Sequence, residues 1–116
     1  MLLSVDEIVA KAKESVVTYS ADEAVKYMKE QGDLLFIDVR EPSEHIEKSI
    51  PGVINIPRGL LEFKVTAHTT DADHPIMIHC AAGGRAVLAA KTLVDMGFKN
   101  VGAITAGCDA IADAIS

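Results

Sequence analysis

A chain of 116 residues holds one domain and leaves little room for a second. Its net charge is −6 and its 11 basic residues never form a run, which argues against nucleic acid or an anionic membrane surface as a partner. The longest apolar run is too short to span a bilayer, and two cysteines make no disulfide framework.

Aromatic residues are 4% of the chain and Trp is absent, so Val, Ile, Leu, Ala and Met must build the core. The start, Met1 to Glu7, lacks a basic region and turns acidic at Asp6. It does not read as a signal peptide, and the expected setting is a reducing cytoplasm in which Cys80 and Cys108 stay thiols.

Ser4 with Glu7 forms a capping-box pattern, and Ile8, Val9 and Ala12 then share a face. A helix is predicted from Val5 to about Glu14, an extension preceding the strand Val16 to Tyr19. Ser20 with Glu23 repeats the capping box, and a second helix runs from Ala21 to Gln31, stopped by Gly32. Leu34 to Val39 is almost continuously apolar, as in a strand buried on both faces of a parallel sheet. A helical turn follows over Ser43 to Lys48, then a short strand over Val53 to Asn55 between two prolines.

Arg58 to about Val65 is predicted as one helix, and Ala67 to His74 as a polar surface loop. Pro75 to His79 is the next buried strand, Arg85 to Met96 a strong helix, Asn100 to Ile104 the last strand, and Asp109 to Ile115 a closing helix. Strands alternating with helices make an α/β domain with a mainly parallel sheet.

The segment that carries chemistry is Cys80-Ala81-Ala82-Gly83-Gly84-Arg85, between a buried strand and a helix. Ligands of open α/β sheets bind beyond the carboxyl ends of strands, where Cys80 falls. Small residues and glycines let successive backbone N–H groups turn inward as an anion-binding nest. The next helix adds its partly positive N-terminus, and Arg85 a permanent charge. Together these favour a thiolate at Cys80 and would hold a bound anion.

The loop, read with two further motifs, resembles the active-site loop of rhodanese-like sulfurtransferases. Phe36-Ile37-Asp38-Val39-Arg40-Glu41 is similar to that family's Asp-Val-Arg strand. Ile50-Pro51-Gly52-Val53-Ile54-Asn55-Ile56-Pro57 is similar to its Ile-Pro-Gly segment, and Ala106-Gly107 falls where it usually has Gly-Gly. The resemblance covers about Ser15 to Ile111. It implies a central five-stranded, mainly parallel sheet flanked by helices on both faces. It implies a Cys80 nucleophile that becomes a persulfide, with thiosulfate or a related anion as sulfur donor. The acceptor would be a thiol, cyanide or a protein, with no metal or organic cofactor. Four residues separate Cys80 from Arg85, where phosphatase-like loops have five, and in the family the shorter loop goes with sulfur transfer. A sulfur-carrier, redox-sensing or docking module without turnover is the alternative.

The chain departs from the family pattern at Ser49, where a histidine is usual, and at Ile111, where a tryptophan is usual. Asp38, Arg40, Arg58 and Cys108 are accessory candidates. Asp38, at the end of a buried strand, reads foremost as a structural carboxylate tying loops together. Arg58 suits either the pocket mouth or the surface. Cys108 is either a resolving thiol or a small buried residue. His79 precedes Cys80 on a strand and so points to the opposite face, in a structural or solvent-facing position.

Overall fold

The computed structural model describes residues 1–116. The elements are α1 (Val5–Lys13), β1 (Val17–Tyr19), α2 (Ala21–Gln31), β2 (Leu35–Asp38), α3 (Pro42–Glu47), β3 (Ile54–Asn55), α4 (Leu61–Lys64), β4 (Ile76–His79), α5 (Gly84–Met96), β5 (Val101–Ile104) and α6 (Cys108–Ile115). All five strands run parallel in the order β1-β5-β4-β2-β3.

Both predicted capping boxes form. The Ser4 hydroxyl accepts from Glu7 N–H at 3.1 Å while the Glu7 carboxylate accepts from Ser4 N–H at 3.0 Å. Ser20 and Glu23 do the same at 3.2 and 2.8 Å. These reciprocal bonds satisfy donors that the first helical turn leaves open.

The core lies on the two faces of the sheet, and alternation along each strand decides which residue enters which half. Ile76, Ile78 and Cys80 enter one half with Ala12, Val16, Ile37, Leu61, Val87 and Leu93. Met77 enters the other with Ala24, Val25, Ile104, Cys108 and Ile111. Helices α1 and α5 pack on the first face, and α2 and α6 pair on the second.

The helix predicted over Arg58 to Val65 is not continuous. A 3₁₀ turn (Arg58–Leu60) precedes α4, and a second (Val65–Ala67) follows it. Leu60 (ψ 0°) and Lys64 (ψ −18°) leave the α well toward the bridge region, which tightens each turn. Leu61 and Val65 still anchor the stretch, both fully buried one helical turn apart. The long helix starts at Gly84, with Gly83 in the left-handed conformation (φ 105°) before it.

Candidate active site

The strand β4 delivers Cys80 to the carboxyl edge of the sheet. Cys80 is 1% exposed, and its Sγ packs from below against the α5 face of the core. From above it receives two main-chain donors: Gly83 N–H at 3.0 Å and Ala86 N–H at 3.3 Å. The predicted convergence of amides is therefore present for these two groups, on a sulfur that is also buried.

Neighbouring backbone forces the loop into this shape. A Cβ on Gly83 would stand 3.0 Å from Thr105 Cα, and one on Gly107 would stand 2.4 Å from the Ala81 carbonyl oxygen. The segment after β5 thus presses on the loop closely enough that only glycine fits at 107. Ala81 and Ala82 are exposed at the rim.

Arg85 makes its side-chain hydrogen bonds to a carboxylate, not to the sulfur. Its guanidinium donates to both carboxylate oxygens of Glu44, at 2.8 and 3.1 Å. That pairing, with the Glu41 N–H bonded to Glu44, holds the Glu44 carboxyl down at about 2. Arg58 is likewise engaged, donating to Glu62 Oε1 at 3.0 Å and Thr92 Oγ1 at 2.7 Å.

Asp38 and Arg40 form a buried pair beside the loop. Arg40 donates from Nη2 to Asp38 Oδ2 at 2.8 Å and from Nε to Oδ1 at 3.0 Å, and reaches the carbonyls of Lys48 (2.6 Å) and Glu44 (3.4 Å). His45 adds a contact to Asp38 Oδ2 at 3.0 Å. Burial pushes the Asp38 carboxyl up, but the bonds from Arg40 and His45 outweigh it and hold the group below its ordinary value. Asn55 Nδ2 donates to the Asp38 and Arg40 carbonyls, both at 3.0 Å. This network fastens the 39–48 turn to the strand ends, the structural role that the position of Asp38 suggests.

His79 is opposite Asp38 in the β2–β4 register, on the face away from Cys80, and is fully buried rather than in solvent. Its Nδ1 lies 3.3 Å from the Cys80 carbonyl, so a proton on Nδ1 is donated there. Nε2 is 4.0 Å from Asp38 Oδ1 and has no hydrogen-bond partner. Burial holds the imidazole below its ordinary value, partly opposed by Asp38.

Cys108 begins α6. Its neighbour Gly107 touches the Cys80 loop, yet the Cys108 side chain enters the opposite half of the core. Both cysteines are unpaired thiols. Burial pushes the Cys108 thiol up, and Arg40 partly offsets this.

Sequence reasoning missed three participants. Glu44 and His45, the partners of Arg85 and Asp38, lie on a short helix whose facing residues carry no local signal. The third is α1, whose Val9 stands nearest to Gly84. With the loop, α1 encloses a cavity of about 390 Å³ lined by Val5, Asp6, Val9, Lys13, Thr105 and the Ala82–Gly84 stretch.

Comparison with known proteins agrees with this architecture. A putative sulfur carrier protein of Bacillus subtilis is 40% identical over 68 residues, covering 59% of this chain and 36% of that protein. The thiosulfate sulfurtransferase PspE of Escherichia coli is 29% identical over 66 residues, 57% of this chain and 64% of its own length. The chain thus spans less than two thirds of either relative. A solved structure from Rhodopseudomonas palustris, a protein of unknown function described as a possible tyrosine phosphatase, superposes with a TM-score of 0.83 at 30% identity, covering 98% of this chain and 92% of that one. The family model for the rhodanese-like domain matches residues 20–114, which takes in the Cys80 loop and every strand except β1. On that match, the chain belongs to the rhodanese-like domain family.

Proposed function

We propose that the protein takes sulfane sulfur from thiosulfate or a related anionic donor onto Cys80 and passes it to a thiophilic acceptor. The observation that carries this reading is the pair of main-chain donors, Gly83 and Ala86, on one sulfur. Such donors serve an atom that carries negative charge during a reaction. In the first step the Cys80 thiolate attacks the outer sulfur of thiosulfate. A new S–S bond forms, and sulfite leaves with the electron pair of the old one. In the second, an acceptor thiolate attacks the outer sulfur of the Cys80 persulfide, and the S–S pair returns to Cys80 as thiolate. Cyanide serves as acceptor in an assay, and a protein thiol is the other class. The scheme uses no metal or organic cofactor. Its two free cysteines suit a reducing cytoplasm.

Phosphate chemistry finds less support. Four residues, not five, separate Cys80 from Arg85, and the Arg85 fork is already occupied by Glu44. A second reading, a sulfur carrier without turnover, is favoured by the burial of Cys80 and by the carrier description of the Bacillus relative.

Intact-mass measurement after exposure to thiosulfate tests the reading. The expected result is a gain of one sulfur, removable by a thiol reductant and absent in Cys80→Ser. Loading followed by turnover with cyanide supports the enzyme, and stoichiometric loading alone supports the carrier. No gain, or an equal gain in Cys80→Ser, overturns both.

A further inference from the structure

The largest cavity of the molecule joins the Cys80 loop to α1, which lies outside the family match at residues 20–114. α1 is not a loose appendage. Ala12 and, just beyond its end, Val16 belong to the main core, Val9 packs against it, and the helix rests on α5. The wall it offers is therefore preorganised. Its cavity face presents Val5, Asp6, Val9 and Lys13, the helical spacing of a single face.

The charges on this face are unspent. Arg85 is paired with Glu44 and Arg58 with Glu62, whereas Lys13 and Asp6 take part in no ion pair. Seven positions apart on one helix, they stand about 10 Å from each other along its axis, too far to pair directly. Between them lie valine side chains and the Ala82–Gly84 backbone. Gly83 is at once part of the cavity lining and a donor to Cys80 Sγ, so one peptide unit separates the cavity from the sulfur.

Thiosulfate or cyanide would fill a small part of a space of about 390 Å³, which falls in the range of pockets for organic ligands. A ligand that fits has an anionic group and a cationic group several ångströms apart on a short, partly apolar body. We propose that this cavity is the subsite for a short peptide thiol, Lys13 taking a carboxylate and Asp6 an ammonium group. The inference rests on the reading of Cys80 as the residue that takes up sulfur and passes it to an acceptor. The thiol end crosses the exposed Ala82 rim to the persulfide. The acceptor thiolate attacks the outer sulfur of Cys80–S–SH, the new S–S bond forms on the acceptor, and Cys80 leaves as thiolate. The proton stays on the transferred sulfur.

Two measurements test the subsite. In turnover from thiosulfate, KM for glutathione is compared with KM for 2-mercaptoethanol, a thiol with neither charge, in wild type, Lys13→Glu and Asp6→Asn. The ratio should rise about fivefold to tenfold in Lys13→Glu, as expected for a lost and reversed surface pair, and less in Asp6→Asn. An unchanged ratio in folded variants, checked by thermal melting, overturns the proposal. Titration of S-methylglutathione, which cannot accept sulfur, into unloaded protein separates this inference from the catalytic reading. Saturable binding weakened in Lys13→Glu supports the subsite even if thiosulfate fails to load Cys80. No binding, or equal binding in the variant, overturns the subsite even if loading succeeds.

Discussion

Arg85 and Glu44 meet fork to fork, guanidinium nitrogens 2.8 and 3.1 Å from the two carboxylate oxygens, and so clamp the first turn of α5 to α3. A lysine keeps the charge but cannot make both contacts. Arg85→Lys should lower stability by about 0.5–1 kcal/mol, the range for a partly exposed pair, read from urea unfolding near neutral pH. The clamp also has a pH signature. Glu44 is held down at about 2 from 4.5, chiefly by Arg85. Its contribution is complete above 4.5 and is lost as pH falls from there toward 2. The stability gap between wild type and Glu44→Gln should close over that interval; a gap independent of pH would show that the clamp contributes nothing electrostatic.

Asp38→Asn should be far more damaging. The Asp38 side chain is fully buried and that of Arg40 nearly so. Removing the carboxylate leaves a guanidinium without its counter-charge, a change that costs about 3–5 kcal/mol in buried pairs. Denaturant unfolding should show the midpoint shifting with little change in slope. A loss under about 1 kcal/mol would mean that water reaches and solvates Arg40 in the variant.

Gly83→Ala places a side chain where φ is 105° and where Thr105 Cα stands 3.0 Å away. Gly107→Ala meets the Ala81 carbonyl at 2.4 Å without any backbone strain of its own. Each should destabilise by about 1–3 kcal/mol. Each should also slow Cys80 loading, because relief of the clash moves the loop that holds the sulfur. Loading rates at wild-type values in both variants would show that the loop geometry is not needed for reaction.

His79 gives an acid limb distinct from that of Glu44. Burial keeps its folded value below 6.5, so the unfolded chain binds the proton more readily. Stability from this group is therefore full above 6.5 and falls as pH drops below it. His79→Phe removes the titration while preserving an aromatic body beside Phe36, whose ring lies 5.4 Å from that of His79. The variant should lose stability less steeply than wild type between pH 6.5 and the onset of carboxylate titration. Parallel curves would show that His79 is protonated alike in both states.

Local chemistry is what the sequence displays. Ser4 with Glu7 and Ser20 with Glu23 sit three residues apart, so both helix starts can be read directly. Strand alternation likewise sends His79 away from Cys80, and the contiguous Cys80 loop carries its own geometry in its glycines. Contacts across the fold are not written this way. Glu44 and Arg85 are 41 residues apart, and nothing in either segment names the other. The pressure of Gly107 on Ala81 depends on how β5 ends beside β4. The broken helix around Leu61 reflects two buried anchors, Leu61 and Val65, in a stretch otherwise exposed enough for its turns to tighten.

The strand order has a temporal consequence. β1 has β5 as its sole neighbour in the sheet, and β2, β3 and β4 are all made between the two. A nascent chain emerging from the ribosome can assemble β2, β3 and β4 first, but β1 must wait, unpaired, for residues 101–104. Until that closure, Val17 and its neighbours present a free hydrogen-bonding edge, the window in which association with other nascent chains competes with correct folding.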